Sequence, residues 1–148
     1  MPSRRGMLSA MPRWVCPECG RQFGRVRQGH ECAPAMDLEA YFSTGPPFER
    51  PVFDAVMAHL ETVGPVYVEP VSVGIFLKRS HTFAELRPMT KWVAVSFSLR
   101  RTISSARIAR KVIDTGRSRY HVVNVRQRAE VDEQLCEWLT EAYVASVP

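Results

Sequence analysis

Apolar residues between positions 48 and 63 recur at steps of three and four: Phe48, Val52, Phe53, Val56, Met57, Leu60 and Val63. That period puts them on one face of a helix and predicts one over about Pro47–Val63. Pro51 falls in the first turn, where its missing N–H costs little, and Gly64-Pro65 stops the helix. A shorter helix, Leu38 to Ser43, is expected before it, opened by the N-cap residue Asp37 and closed by Gly45-Pro46-Pro47. A third is predicted over about Ala129–Val144, where Val131, Leu135, Trp138, Leu139 and Ala142 repeat at helical spacing and the acids gather early, as the helix dipole prefers. Cys136 falls among these apolar positions and reads as a core thiol.

Between these helices the period drops to two. Lys91 to Leu99 is the clearest strand, with Val93, Val95, Phe97 and Leu99 on one face and Trp92, Ala94, Ser96 and Ser98 on the other. Val66 to Val71, Gly74 to Lys78, Thr82 to Arg87 and Tyr120 to Val125 are also strand-like. Their connections are too short for parallel crossovers, so the sheet should be antiparallel. Residues 104–114 read either as a helix or as the first strand of a hairpin turning at Thr115-Gly116, with strand favoured over about Ile108–Asp114. The fold class is therefore α+β: an antiparallel sheet packed by N- and C-terminal helices, with a small cysteine-bearing segment in front.

The 148 residues divide into a leader (1–12, with Met1, Met7 and Met11 all candidate starts), a zinc-ribbon-like segment (13–34) and the α+β domain (35–148). No apolar run approaches the ~18–20 residues of a membrane span and the basic start lacks the apolar stretch of a signal peptide. A cytoplasmic location is the expectation, with no membrane partner. The net charge of +5 is unevenly spread: residues 100–128 hold nine Lys/Arg against Asp114, and residues 129–148 hold five acids and no base. Such asymmetry points to nucleic acid or another phosphate-bearing ligand, unless the two blocks face each other.

Three of the four cysteines and one histidine crowd into Cys16-Pro17-Glu18-Cys19-Gly20, with His30-Glu31-Cys32 following. Two residues between Cys16 and Cys19 let both thiolates of one turn grip a tetrahedral ion, and His30 with Cys32 supplies the second pair. Four such ligands suit Zn²⁺ and leave no open position, so the expected metal is structural. Trp14 and Phe23 are expected to form the miniature core of the segment, and Arg13, Arg21, Arg25 and Arg27 to offset its negative charge. The opening resembles a Cys2His2 finger up to Phe23. The shorter gap and the closeness of His30 to Cys32 then depart from that pattern, so a hairpin or knuckle is expected rather than a DNA-reading helix. A redox cysteine pair, or thiols without metal, are the alternatives.

Gly74-Ile75-Phe76-Leu77-Lys78, Phe83-Ala84-Glu85-Leu86-Arg87-Pro88, Lys91-Trp92-Val93-Ala94-Val95-Ser96-Phe97 and Trp138-Leu139-Thr140-Glu141-Ala142-Tyr143 resemble a bacterial domain-of-unknown-function family, number 5655. Trp14 to Cys32 is similar to the segment with which members of that family often open. The resemblance implies a compact α+β domain with an antiparallel sheet and supplies no catalytic residues.

No nucleophile elbow, Gly-rich phosphate loop or dinucleotide fingerprint is present, and His59, His81 and His121 each read as structural. No catalytic residue is assigned, and whether the chain is an enzyme stays open. Candidate ligand-binding residues are Phe76, Lys78, Arg87, Lys91 and Trp92, where bases and aromatics alternate, and Arg107, Arg110, Lys111, Arg117 and Arg119 of the basic block. The expected function is a nucleic-acid- or phosphate-associated binding module with a structural zinc. The alternative is a small-ligand-binding protein or enzyme with a pocket between sheet and helices, the zinc segment docking a protein partner.

Overall fold

Strand alternation builds a six-stranded antiparallel sheet, all of whose neighbouring strands pair antiparallel. The computed structural model describes residues 14–30, 32 and 35–146; the proposed leader lies outside them. The strands are β1 (Trp14–Val15) and β2 (Gln22–Phe23), which form a separate hairpin, then β3 (Tyr67–Val71), β4 (Gly74–Lys78), β5 (Thr82–Pro88), β6 (Val93–Leu99), β7 (Ile113–Asp114) and β8 (Arg119–Val125). The large sheet runs β3-β4-β5-β6-β8-β7. The helices are α1 (Leu38–Ser43), α2 (Glu49–Val63) and α3 (Glu133–Ala145). Asp37 caps α1 by accepting from the Glu39 N–H, as its residue type predicts.

One face of the sheet carries the core. Ile75, Leu77, Leu86, Val95, Phe97, Val123 and Val125 are buried there with Val52, Val56 and Leu60 of α2 and Leu135 and Leu139 of α3. A register shift after Leu77 leaves Phe83 and Ala84 sharing one partner position. This bulge adds Phe83 to the core, where its ring meets Tyr143 of α3 edge-on at 5.3 Å.

The register aligns a second row on the opposite face: Glu69, Phe76, Glu85, Ser96 and Val122. Phe76 of this row lines the site described below, whereas Ser96 and Val122 are buried.

Three expectations need correction. Residues 104–114 are neither a helix nor a continuous strand. Ile108 makes an isolated bridge to Val123, and only Ile113–Asp114 pairs as β7. His121 is the reason: fully buried, it accepts the Ile103 N–H at Nε2 (3.0 Å) and donates from Nδ1 to the Arg119 carbonyl (3.0 Å), which fixes the start of the segment as a loop. The last helix begins later than predicted. A 3-10 turn, Arg128–Glu130, precedes it, and Asp132 caps α3 by accepting from the Leu135 N–H. Cys136 is half-buried rather than fully in the core.

Candidate metal centre and the cavity beside it

The β1–β2 hairpin is short because its turn must fold back on itself. The Gly20 N–H donates to the Cys16 carbonyl (2.8 Å) and the Cys16 N–H to the Arg21 carbonyl (2.9 Å). Gly20 sits at φ 77°, a conformation that costs glycine nothing. The turn delivers Cys16 and Cys19, and the following loop delivers His30 and Cys32.

The four ligand atoms lie within 4.8 Å of one another. Cys16 Sγ is 3.6 Å from Cys32 Sγ, and Cys19 Sγ is 3.5 Å from His30 Nε2. Zinc–sulfur bonds of about 2.3 Å in a tetrahedron place sulfurs about 3.8 Å apart, so the cluster has the dimensions of a metal site. His30 Nδ1 donates to the Gln28 carbonyl at 2.7 Å. A carbonyl only accepts, so Nδ1 carries the proton and the Nε2 lone pair faces the sulfurs, the tautomer that metal-binding histidines need. The Cys19 N–H draws the Cys16 thiol down to about 6, whereas the hydrogen bond with Cys16 pushes Cys32 up to about 12. The two sulfurs share one proton, and a dication is what would let both be thiolates.

The rings of Trp14 and Phe23 pack 6.0 Å apart, and Phe23 lies 4.1 Å from the His30 ring, which gives the expected miniature core. Arg21 does something different from the charge offset assigned to it. It is buried, and its Nε donates to Glu69 Oε1 of β3 at 3.0 Å. Lys78 of β4 meets the same oxygen at 2.7 Å, donates to the Gln22 carbonyl at 2.8 Å and lies 4.2 Å over the Phe23 ring. Glu69 Oε2 accepts the Gln22 N–H at 3.4 Å. The hairpin is thus bolted to the helix-free face of the sheet through one fully buried carboxylate. Gly24 completes the fit, lying so close to the His81 ring and the Ser80 carbonyl that no Cβ could stand there.

A cavity of about 270 Å³ opens where hairpin and sheet meet. Phe76, Lys78 and Arg87, three of the predicted ligand residues, line it with Phe23, Gln28 and His30 of the metal segment. It lies on the face away from the helices; a second cavity, of about 260 Å³, opens between the sheet and α3, where Phe83, Ser98, Leu99, Ala142 and Ala145 line it. Arg21, Lys78 and Arg87 reach its wall, the first two buried and paired to Glu69 and the third paired to Glu85, so the two basic side chains at Glu69 exceed its one negative charge. Arg87 is half-exposed and donates to Glu85 at 2.9 Å. Lys91 and Trp92 are not part of the cavity. Lys91 is exposed, and Trp92 carries the Arg126 guanidinium 5.4 Å above its ring.

Part of the basic block faces the acidic tail, and Arg119 pairs within the block itself. Arg101 makes two bonds to Glu141, Arg107 pairs with Asp132 at 2.7 Å, and Arg119 reaches Asp114 at 3.4 Å. Arg100 donates to the Ala145 carbonyl at the end of α3. Arg110, Lys111 and Arg117 are exposed. Of the other histidines, His59 bonds Thr140 across α2 and α3 at 2.6 Å, His81 is exposed beside the hairpin, and His121 is the buried loop anchor.

Residues 38–146 match the family described as a domain of unknown function (DUF5655). The chain belongs to that family. No curated protein and no solved structure matches it. The match begins at Leu38, so the DUF5655 domain comprises the helices and the large sheet, and the metal segment precedes it. Glu69, which joins the two, was not singled out in the sequence. The signal was there: alternation puts Tyr67, Glu69 and Val71 on one face, next to Phe76 and Lys78 of the adjoining strand. Among the described residues no helix is long and apolar enough to cross a membrane.

Proposed function

We propose that the protein is a zinc-stabilised binding module for a phosphate-bearing ligand, held between the metal segment and the sheet. The cavity carries this reading: its wall is built from both parts and combines arginine and lysine with aromatic faces. Cys16, Cys19, His30 and Cys32 hold the zinc. Four protein ligands leave no place for a substrate, so the metal shapes the site and does no chemistry.

Nucleic acid is the larger ligand of the same chemistry. The exposure of Arg110, Lys111 and Arg117 on one segment favours it. The pairing of Arg101, Arg107 and Arg119 with acids favours the cavity instead.

Metal analysis of the purified chain should find one zinc, lost in Cys19→Ser. Calorimetry with inorganic phosphate and anisotropy with single-stranded DNA and RNA, across a salt series, test the ligand. Binding that weakens steeply with salt supports the reading; no binding of either kind at low salt overturns it.

A further inference from the structure

The cavity has a shape as well as a charge. Thr82 and Arg87 both line it, and because the strand bulges at Phe83–Ala84 they stand four steps of the neighbouring strand apart, about 13 Å of sheet. The space between is narrow, because its volume of about 270 Å³ falls just below the range of about 300–1,000 Å³ usual for small-molecule sites. One elongated small molecule fits, and a polymer does not fit within it.

The wall changes character along that length. Midway, the partly exposed Phe76 ring offers an apolar surface beside the Arg21 guanidinium, which stands 5.4 Å from its centroid, and Gln28, a half-buried lining residue from the metal segment, carries an amide that both donates and accepts. A planar heterocycle uses such a pair, with its face on the ring and its polar edge on the amide. Toward Arg87 the lining becomes the Val71-Ser72-Val73 turn and the guanidinium itself. Glu85 occupies one donor nitrogen of Arg87, out of a fork of five N–H groups suited to phosphate.

We infer that the ligand is a nucleoside monophosphate, its base between Phe76 and Gln28 and its phosphate at Arg87, and that it binds cooperatively with the zinc. This rests on the phosphate-binding reading given above. The cooperativity follows from His30, which is at once a member of the metal cluster and part of the cavity wall. Without metal the loop bearing Gln28 and His30 loses its anchor, and by linkage a bound ligand must tighten the metal.

Calorimetry on the zinc-loaded full chain tests the inference with adenosine and uridine 5′-monophosphates as probes. Ribose 5-phosphate serves as the ring-free control, adenosine as the phosphate-free control, and inorganic phosphate as the minimal anion. At least one monophosphate should bind about tenfold or more tightly than both ribose 5-phosphate and adenosine. Phe76→Ala should erase the advantage over ribose 5-phosphate, and Arg87→Gln the advantage over adenosine. Both variants should keep one zinc per chain and the wild-type far-UV spectrum. The bound monophosphate should also slow zinc transfer to a chromophoric chelator. If ribose 5-phosphate or inorganic phosphate binds as tightly as the monophosphates, the phosphate-binding reading stands and the nucleotide is refuted. If no phosphate compound binds, both fall. Unchanged zinc transfer at saturating monophosphate overturns the cooperativity alone.

Discussion

Glu69 in β3 and Arg21 in the metal hairpin are ion-paired across 48 residues of sequence, with the carboxylate fully buried and Lys78 on the same oxygen. A lone carboxylate holding two cations and a backbone N–H out of water is stable only while every partner is present. Glu69→Gln is therefore expected to cost about 3–5 kcal/mol, because Lys78 stays buried without its counter-charge. Urea denaturation reads this directly. Replacing Arg21, Glu69 and Lys78 together by Met should recover most of the loss, since no charge is then stranded. A Glu69→Gln chain as stable as the wild type would show that the pair does not hold the hairpin.

Zinc removal should be a local event. Structural zinc contributes on the order of 10 kcal/mol to folding such a segment, and the hairpin has little else beyond Trp14, Phe23 and the Glu69 contacts. The core between sheet and helices contains no metal ligand. A strong chelator is expected to collapse the amide dispersion of residues 14–30 in a proton–nitrogen spectrum while the signals of β4, β5, β6 and α3 stay dispersed. Global unfolding by the chelator would refute the independence of the two parts.

Burial depresses the basicity of His121 below its ordinary value of 6.5. An unfolded chain takes up a proton at this residue as pH falls below about 6.5, and the folded chain does not. The stability it contributes is thus complete above about pH 6.5 and is lost as pH falls toward the lowered folded value. In His121→Asn the slope of stability against pH in that window should flatten. An unchanged slope in the variant would assign it to other groups.

Glu49 works in the opposite sense. It is fully buried at the start of α2, accepts from the Tyr41 hydroxyl at 2.5 Å, and its Oε1 has no hydrogen-bond partner among the described residues. Burial pushes its pKa up from the ordinary carboxyl value, and the Tyr41 bond only partly opposes the rise. A raised carboxyl favours the folded state below about pH 4.5, and that contribution is lost as pH rises through the folded value. Glu49→Gln is expected to raise the melting temperature at neutral pH and to lose its advantage in acid. A lower melting temperature at neutral pH would mean that the ionised carboxylate is stabilised by groups not identified in its surroundings.

The large elements were legible because periodicity alone decides them. The apolar face of α2 and the alternation of β6 were visible in fifteen and seven consecutive residues respectively. The candidate metal cluster was legible because four ligand residues, three Cys and one His, at short spacing have few other uses. Residues 104–114 were not, because their course is set by His121, a residue seven positions beyond them whose burial no local pattern reveals. The cavity was half legible. Phe76, Lys78 and Arg87 follow from alternation, but the wall facing them comes from residues 23–30, held there by the Glu69, Lys78 and Gly24 contacts between distant parts of the chain. The basic block illustrates the limit of counting charges, since its partners lie on α3 and its cap.

Pro70 lies in the outer strand β3, has no N–H to offer, and has its carbonyl already taken by the Met36 N–H at 2.8 Å. At the far side of the sheet, β7 is only two residues long and its Asp114 is ion-paired with Arg119 of β8. Both rims of the sheet are consequently poor templates for a further strand. Another copy of the chain, or a stray unfolded segment, finds no continuous row of hydrogen-bonding groups to join, so the fold resists edge-to-edge aggregation while the cavity beside its hairpin stays open for a ligand.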